Sequence, residues 1–499
     1  MLKYEDMLKR FNALPENQVN IEKTSRNPYP DVTIPNGVTK SLPEQVMVRV
    51  DHGLRVALAD LPEDVVSEVK GELSWRNPLY LAMRRKGKED PRVTPRLLGY
   101  HDDGEYLYMA RGFAGRLMRI LQGHRLQGKY EDATTHPEPV GLTFHGELYG
   151  YQKAAIREMG EKRFQIIAGF IGVGKKVLTL YLAARASLPV LVVVRTKVQA
   201  YQWVEAGKRF LNLSNDHIGI IGDGRADLDR VFTVGIEKSL VRYMDEMAPR
   251  VGYLVVDQCD YAHLNIFFKI VRRVASPYML GLAVTGRRKD KLNGLMAAYV
   301  GPVLHRIPME RVRREARMTR PEFVGRQTAF DYRYQDDWGA MVKALALDGD
   351  RNTLLVTDIL MATADKKARA VVLCQLLVHM EVLVKQLEKR YRKAVTLSGK
   401  TPQGRMDGIR EDFNKGKAQV LCVTGQSLPL LKPKRITHLF IASPLRSPEI
   451  LSQAVGLLLR MDPDTRVQVF DYQDKPVNLA GSYRGRLRVY RDMGVVGVG

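Results

Sequence analysis

Cysteine is scarce in this sequence. The 499 residues contain three, Cys259, Cys374 and Cys422, and none of them has the spacing of a metal-ligand pair. Three cysteines cannot all pair within one chain, so the composition argues against a disulfide-framed extracellular domain and favours a reducing compartment such as the cytoplasm. The ten histidines show no ligand pairing either, and we therefore predict no structural zinc.

Long apolar runs are also lacking. No segment reaches the roughly 18 uninterrupted apolar residues of a membrane-spanning helix. The richest candidate, residues 368–384, is interrupted by Gln375, His379 and Glu381. Residues 1–18 are charged throughout and lack the apolar stretch of a secretory signal peptide. The sequence therefore predicts a protein with no membrane partner.

Acidic side chains are outnumbered by basic ones. Lys and Arg total 78 against 55 for Asp and Glu, which gives a formal net charge of +23. Such an excess is typical of proteins that bind polyanions, and the partner we expect is nucleic acid, DNA before RNA. A protein with a basic surface and no such partner is the alternative. Four basic runs could line a phosphate track, although each alone is typical of a solvated surface: residues 287–291, 311–315, 431–435 and 483–492.

The distribution of apolar residues divides the chain into three parts. Residues 1–135 hold short alternating segments with turn signals and predict a small α+β domain, and the polar stretch 125–142 is typical of a linker. In residues 140–310, near-continuous apolar strands alternate with helical patterns, which predicts a parallel sheet covered on both faces. The same rhythm returns in residues 311–499, where 353–359 is one of the strand-like runs. The predicted fold class is α/β, with two tandem parallel-sheet domains and a smaller N-terminal α+β domain.

The segment FQIIAGFIGVGKKVL places a strand, a glycine-rich turn and a helix start in succession. Gly169, Gly172, Gly174 and Lys175 fit the pattern G-x-x-x-x-G-K, in which backbone N–H groups cradle phosphate and the lysine reaches the β- and γ-phosphates. Lys176 stands where a Ser or Thr hydroxyl normally helps hold Mg²⁺, and an ammonium cannot ligate a cation. The segment predicts a phosphate or nucleotide site at which binding of ATP and Mg²⁺ stays open. A plain strand–turn–helix joint is the alternative.

A second apolar run, VGYLVVDQCDY, ends in Asp257. A carboxylate at the carboxyl end of a parallel strand lies where ligands bind, and beside a phosphate loop it would hold the water shell of Mg²⁺. The alternative is that Asp257 only caps the following helix. We take Asp257 as the candidate metal-binding and catalytic residue.

The order of these segments resembles a known family. GFIGVGKK, TKVQAYQW, VVDQCDY and LGLAVTGRRKD follow one another as the motifs of superfamily two helicases do. They are most similar to the XPB-type branch, which carries D-E-C-H-H at the strand end and T-A-T-P-R-R later. The resemblance covers residues 140–499 and implies two tandem RecA-like domains that bind ATP and nucleic acid. The N-terminal segment is similar to a small DNA-engaging domain of such proteins, with an unrelated α+β module as the alternative.

The resemblance also implies roles for individual residues. Gln152 takes the position that reads adenine, and Arg460, in QAVGLLLR, takes that of an arginine finger. The family positions that contact nucleic acid correspond to Thr196, Lys197, Gly235, Ser239, Arg287, Arg288 and Thr424.

Several motifs depart from the family pattern at points of chemistry. Gln258 replaces the glutamate that activates water; it can hydrogen-bond a water but cannot act as a general base near pH 7, and losing a positioned base costs about 10² to 10⁴ in rate. Leu457 replaces one of the two arginines in Q-x-x-G-R-x-x-R. Asp260 and Tyr261 replace two histidines, and GQSLPLL stands in place of a G-E-G-x-D pattern.

These departures and Lys176 fall at separate points of one reaction, whereas the strand and helix patterns around them are kept. We expect a helicase-like nucleic-acid-binding protein with an eroded ATPase site, acting as a clamp, scaffold or partner subunit in DNA metabolism with little or no ATP hydrolysis. An active ATP-dependent DNA helicase or translocase with a rewired site is one alternative. A nucleotide-independent basic architectural protein is the other.

Overall fold

The structure is a computed structural model that describes most of the chain after the N-terminal segment. The described residues are 45–170, 172–288, 290–390, 392–399, 401–431 and 433–498. They divide into two compact units. The first contains residues up to Glu147, Ile156–Ala168 and Lys176–Arg306, and the second contains Leu148–Ala155, Gly169–Lys175 and the chain from Ile307 onward.

The N-terminal part of the first unit is a five-stranded sheet with helices on one face. The strands, β1 to β7, are Gln45–Val50, Leu54–Ala57, Ser74–Arg76, Arg96–Leu98, Tyr100–Asp102, Tyr106–Met109 and Gln127–Asp132, and the helices, α1 to α3, are Glu63–Glu72, Pro78–Arg85 and Ala114–Gly123. The sheet order is β5-β6-β2-β1-β7, while β3 and β4 form a separate pair. All neighbours are antiparallel except β1 and β7. The predicted α+β class of this region is confirmed.

Strand β7 falls inside the stretch predicted to be a linker, so that part of the prediction is wrong. All six residues of the strand pair with β1, from Gln45↔Gln127 to Val50↔Asp132. The sequence pattern does not predict this strand because it lies at the edge of the sheet and five of its six residues are exposed. An exposed edge strand needs no apolar alternation.

The rest of the first unit is a mostly parallel eight-stranded sheet of order β11-β10-β12-β9-β13-β14-β8-β15, in which only β11 runs antiparallel. Its strands, β8 to β15, are Phe164–Ala168, Val190–Val194, Ile218–Gly222, Arg225–Ala226, Phe232–Ile236, Tyr253–Asp257, Tyr278–Ala283 and Val303–Arg306. Helices α4 to α10 are Gly150–Met159, Lys175–Ala186, Lys197–Leu211, Glu237–Leu240, Met244–Met247, Leu264–Val271 and Asn293–Val300. The start of α4, up to Ala155, and Lys175 belong to the second unit. Strands β9, β10 and β13 are buried at every residue, as expected for parallel strands covered on both faces.

The second unit contains an all-parallel six-stranded sheet of order β16-β21-β20-β17-β19-β18. Its strands, β16 to β21, are Glu322–Gln327, Ala370–Cys374, Ala394–Leu397, Val420–Thr424, His438–Ile441 and Gln468–Gln473. Helices α11 to α17 are Met309–Ala316, Trp338–Leu347, Gly349–Ala362, Leu377–Glu388, Gln403–Lys415, Pro448–Leu458 and Val477–Asp492. The two tandem parallel sheets confirm the predicted α/β class.

One strand predicted for this unit is a helix. Residues 353–359 lie inside α13, whose start is capped by the Asp348 side chain, which accepts a hydrogen bond from the Arg351 backbone N–H at 2.8 Å. The buried residues Leu355, Val356 and Ile359 recur at helical spacing. A short buried apolar run has no periodicity that separates a strand from a helix.

A buried ion pair fixes the last helix of this unit. The Arg486 guanidinium on α17 donates to both oxygens of Asp471 on β21, at 2.7 and 2.8 Å, and the Tyr490 hydroxyl donates to the same carboxylate at 2.7 Å. Removing one partner of such a pair costs about 3–5 kcal/mol because it leaves an unpaired buried charge.

None of the described helices combines the length and the apolar content needed to cross a bilayer.

Candidate functional site

The glycine-rich loop after β8 has the backbone of a phosphate-binding turn. Gly172 and Gly174 take left-handed conformations, with φ of 100° and 76°, which glycine adopts without strain. Helix α5 begins at Lys175, and its ammonium donates to the carbonyl oxygens of Gly169 and, at 3.1 Å, Phe170. The loop therefore places a lysine ammonium and a helix N-terminus at one turn, which is the donor set that phosphate requires.

Two side chains from the start of α4 hold this loop. Gln152 donates from Nε2 to the Gly174 carbonyl oxygen at 3.3 Å and accepts from the Tyr149 backbone N–H at 2.9 Å. The Tyr151 hydroxyl donates to the Val173 carbonyl oxygen at 3.2 Å. A Cβ on Gly174 would lie 2.5 Å from Gln152 Nε2, so another residue at this position would push the amide away from the loop. The role of Gln152 in reading adenine stays a prediction.

Asp257 lies at the carboxyl end of β13, where the sequence predicts it. Its Oδ2 accepts a hydrogen bond of 2.8 Å from the indole N–H of Trp203, which lies fully buried on α6. Asp257 itself is 9% exposed. One oxygen of the candidate metal-binding carboxylate is therefore already engaged within the fold.

Gln258, the next residue, is held by the side chain of Gln199. It is 8% exposed and takes a left-handed conformation with φ of 57°. Its Oε1 accepts from Gln199 Nε2 at 2.7 Å. Gln199 is fixed in turn because its Oε1 accepts from the backbone N–H groups of Arg195 and Thr196, each at 3.1 Å.

Lys176, the second residue of α5, also contacts α6. Its ammonium donates to Gln202 Oε1 at 2.8 Å and lies 5.4 Å from the centroid of the Trp203 ring, within the range of a cation–π interaction. No hydroxyl is present at position 176, and Asp257 has one oxygen committed to an indole. The residues present therefore fit phosphate and do not fit Mg²⁺ in the arrangement that the family uses. Among the described residues, no three His, Cys, Asp or Glu side chains are grouped as metal ligands.

The segment after Asp257 is tied to the segment after β14. Asp260 Oδ2 accepts from the backbone N–H groups of Val284 and Thr285, both at 3.0 Å. Arg288 is buried, and its guanidinium donates to Asp290 at 2.7 Å and to the Ala262 carbonyl oxygen at 3.1 Å. The bonds of Asp260 and Arg288 therefore join the two segments. Asp260 stands at the position of a histidine in the family pattern.

Most residues predicted to contact nucleic acid lie along the carboxyl edge of the first unit's sheet. Thr196 caps α6 through a reciprocal capping box with Gln199, and the exposed Lys197 pairs with Asp223 at 2.7 Å. Gly235 is buried in β12, the neighbour of β9, and Ser239 lies in the helix that follows β12. Arg287 is exposed. The structure brings these residues to one sheet edge, and their contact with nucleic acid stays a prediction.

Like Gln152 and the glycine-rich loop, Arg460 and Thr424 belong to the second unit. Arg460 is exposed two residues after α16 ends, and its guanidinium is 3.9 Å from the point that a Cβ on Gly172 would occupy. Leu457 is 8% exposed within α16, so the position of the missing arginine is filled by an apolar side chain. Thr424 ends β19 and its hydroxyl lies 3.1 Å from that of Ser427, in the short 3-10 helix Gly425–Leu430.

Sequence reasoning missed a buried acid next to Asp257. Glu237 is 4% exposed and lines a small internal cavity together with Arg195, Asp257 and Ala262. Burial raises the pKa of Glu237 to about 7, against the opposing charge of Arg195. No motif marks this residue. Its position follows from the sheet order, which places the ends of β12, β9 and β13 side by side.

The fold defined above, with tandem RecA-like parallel sheets, is similar to that of solved helicase domains. The helicase domain of Pyrococcus furiosus Hef matches 68% of this chain and 97% of its own length, with 13% identity and a TM-score of 0.50. A fragment of the HsdR subunit of a type I restriction enzyme from Vibrio vulnificus matches 70% of this chain and 68% of its own length, with 16% identity and a TM-score of 0.52. At these identities, the likeness concerns the fold alone.

Curated relatives come from viruses. A predicted helicase of Invertebrate iridescent virus 6, 161L, is 23% identical over 379 residues, which are 71% of this chain and 83% of the relative. A predicted ATP-dependent RNA helicase of Acanthamoeba polyphaga mimivirus, L396, is 26% identical over 170 residues, 33% of this chain. That match spans only 32% of the mimivirus protein. No protein-family model matches the chain.

Proposed function

We propose that this chain is a nucleic-acid-binding, helicase-like protein of the XPB type whose nucleotide site turns ATP over slowly or not at all. It acts as a clamp, scaffold or partner subunit on DNA. The observation that carries the proposal is the amide at position 258. Gln258 Oε1 accepts the hydrogen bond from Gln199 at 2.7 Å, in a buried setting where hydrolysis by the family's route needs a base.

The chemistry of an amide explains the expected loss. Gln258 can orient a water through its amide group, but it has no basic oxygen that takes up a proton near neutral pH. General-base catalysis contributes about 10² to 10⁴ in rate. Asp257 is poorly suited to take over because its Oδ2 is held by the Trp203 indole.

The metal side of the site supports the same proposal. The family holds Mg²⁺ between a hydroxyl after the loop lysine and the strand-end carboxylate, and here the first of these groups is Lys176. Its ammonium, held by Gln202 and Trp203, supplies a positive charge that a nucleotide phosphate can use without a metal. We therefore propose that any ATP bound here is held by charge and backbone donors, with little help from Mg²⁺.

Phosphate release tests the hydrolysis part of the proposal. The wild-type chain and a Lys175→Ala variant are compared with no DNA, with single-stranded DNA and with forked DNA. We expect equal rates for the two proteins under all three conditions. DNA-stimulated release by the wild type well above the Lys175→Ala baseline overturns the proposal.

Thermal melting tests nucleotide binding separately. A ligand that binds only the folded state stabilises it by RT ln(1 + [L]/Kd). We expect ATP to raise the melting temperature by a similar amount in EDTA and in Mg²⁺, and Lys175→Ala to abolish the shift. A shift that requires Mg²⁺ contradicts the metal-independent part. No shift under either condition favours a nucleotide-independent architectural protein.

A rewired but active ATPase is the second candidate, and Glu237 favours it. This carboxyl lines the same cavity as Asp257, and its pKa of about 7 is close to the value that suits a general base. In an active DNA translocase, Glu237 would take the proton that Gln258 cannot. Phosphate release that is present in the wild type and lost in Glu237→Gln would establish this candidate.

A further inference from the structure

Among the residues that the structure describes, one face of the five-stranded N-terminal sheet is covered by helices and the other is open. Helices α1 and α3 pack with alternate strand residues such as Val46, Val48 and Leu107, which are fully buried. The intervening residues point to the opposite face. They include Met47, which is 40% exposed, and Lys129, its exposed cross-strand partner.

A row of aromatic and basic residues crosses four strands on this open face and ends at Glu131 on the edge strand β7. The strand register pairs His101 with Tyr108, Tyr108 with Arg55, Arg55 with Arg49 and Arg49 with Glu131. The ring centroids of His101 and Tyr108 are 5.9 Å apart and the rings are nearly parallel, at 29°. We call this row, together with Tyr106 and Lys129, the open-face row.

Tyr106 adds a second ring beside the first. Its ring centroid lies 6.3 Å from that of Tyr108, and the Arg55 guanidinium lies 4.9 Å from the Tyr106 centroid. The neighbouring acids are already paired: Glu131 with Arg49 at 2.6 Å, and Asp103 with the Tyr108 hydroxyl. Aromatic rings and cations therefore lie together on a partly exposed surface that the fold of the sheet does not need to bury.

We propose that the open-face row binds single-stranded nucleic acid, with unpaired bases stacked on Tyr106, Tyr108 and His101 and with phosphates on Arg55 and Lys129. Bases expose their faces only when they are unpaired, and aromatic side chains stack on them with little regard to sequence. The net charge of +23 supplies the complementary field. This inference rests on the proposed nucleic-acid role and assigns it a site outside the helicase motifs.

The N-terminal part that carries the open-face row is also firmly attached to the eight-stranded sheet of the same unit. Arg111 is 1% exposed and donates to the Ser276 carbonyl oxygen at 2.8 Å. A Cβ on the next residue, Gly112, would lie 2.4 Å from the Gly301 backbone nitrogen, so the two backbones touch. A strand stacked on the open-face row is therefore held in a fixed position relative to the sheet that carries Asp257.

Fluorescence anisotropy with labelled oligonucleotides tests the proposal on the full chain. The variants are Tyr106→Leu/Tyr108→Leu, which removes the rings, and Tyr106→Phe/Tyr108→Phe, which keeps them. Tyr130→Leu is the matched control. Tyr130 is an exposed tyrosine of the same sheet, but it is in register with the buried Val48 and therefore lies on the face opposite the open-face row. The ligands are single-stranded DNA, single-stranded RNA of the same sequence and blunt duplex DNA.

We expect the leucine pair to weaken single-strand binding by about fivefold or more, the loss for one stacked base. The phenylalanine pair and Tyr130→Leu should stay within about twofold of the wild type because the stacking surface is kept. Duplex affinity should be unchanged in every variant. Comparison of the DNA and RNA arms identifies the preferred strand.

Two results overturn the inference while leaving the proposed function intact: a leucine pair that binds single strands as the wild type does, or one that loses single-strand and duplex affinity equally. A wild type that binds none of the three ligands removes the proposed function as well. If the leucine pair fails to fold, photocrosslinking of the wild type with a 5-iodouracil oligonucleotide decides the matter. Crosslinks at Tyr106 or Tyr108 support the inference, and crosslinks found only elsewhere contradict it.

Discussion

At the scale of single residues, the proposed loss of hydrolysis depends first on one amide, that of Gln258. Gln258 has the size of glutamate and sits in a hydrogen bond that glutamate could also accept, since Gln199 is the donor. The left-handed backbone at this position, with φ of 57°, already carries a side chain of the shape of glutamate. Restoring the acid is therefore structurally mild, and it isolates the chemical contribution of one group.

We predict that Gln258→Glu folds normally and still fails to hydrolyse ATP. The new carboxylate would keep the bond from Gln199, but Lys176 and Leu457 would leave the metal and arginine positions unrepaired. Arginine fingers contribute about 10³ to 10⁵ in phosphoryl transfer, so the variant should remain at the Lys175→Ala baseline. Phosphate release measures this directly. A gain of about 10² or more, the contribution of a general base, would mean that the rest of the site is intact.

Glu237 gives the site a pH-dependent stability with a definite sign. Burial raises its pKa from 4.5 to about 7, although Arg195 and Lys238 oppose this, and the His263 ring lies 3.9 Å away. Between these values the folded state keeps a proton that the unfolded state has lost, so the free energy of unfolding falls as the pH rises and levels off above pH 7. The full effect is about 3 kcal/mol, at 1.36 kcal/mol per pKa unit.

Glu237→Gln should remove that dependence. We expect its melting temperature to equal that of the wild type near pH 4.5 and to exceed it at pH 8, because the glutamine never ionises. Glu246→Gln, at an exposed position, is the control and should follow the wild type throughout. Parallel curves for Glu237→Gln and the wild type would show that the Glu237 carboxyl is ionised in the fold at neutral pH.

At the scale of elements, the contact between α10 and the 3-10 helix Arg111–Phe113, which precedes α3, depends on one glycine. A Cβ on Gly112 would meet the Gly301 nitrogen at 2.4 Å and the carbonyl oxygens of Ala297 and Ala298 at 2.7 Å. All three are backbone atoms, which cannot rotate away. A Cβ on Gly115, three residues later in α3, would meet no atom within 4 Å.

We therefore predict opposite effects of two alanine substitutions on the same segment. Gly112→Ala should destabilise the protein by about 2 kcal/mol or more through overpacking. Gly115→Ala, at the second residue of α3, should stabilise it by about 0.4–1 kcal/mol, because alanine loses less backbone freedom on folding than glycine does. Chemical denaturation measures both. Equal stabilities for the two variants would show that the close approach at Gly112 is not present in solution.

The elements also show which features can be read from sequence. The phosphate loop, β9, β13 and Asp257 were predictable because each is a local pattern: a glycine spacing or an apolar run with a polar end. Strand β7 and helix α13 were not, since an exposed edge strand has no apolar alternation and the short apolar run 353–359 within α13 looks like a buried strand.

Side-chain pairing across the site was equally beyond the sequence. The T-x-x-Q pattern at 196–199 marks the start of α6, but no pattern shows that the same glutamine reaches Gln258 or that Trp203 reaches Asp257. Both contacts join residues more than fifty positions apart. The open-face row could not be predicted for the same reason, because its members lie on five different strands and only the strand register brings them together.

At the scale of the whole molecule, the charge of +23 sets how binding should respond to salt. A protein that neutralises phosphates releases counterions, and for single strands the logarithm of the binding constant falls with log[salt] at a slope of about −0.7 per phosphate contact. We predict such a slope for single-stranded DNA. About five contacts would give a slope near −3.5 and a loss of roughly 10² between 50 and 200 mM salt. An oligonucleotide with uncharged methylphosphonate linkages is the matched control and should bind weakly with no slope. Affinity for natural DNA that does not change with salt would show that the excess charge serves another purpose, and it would remove the electrostatic ground for every nucleic-acid role proposed here.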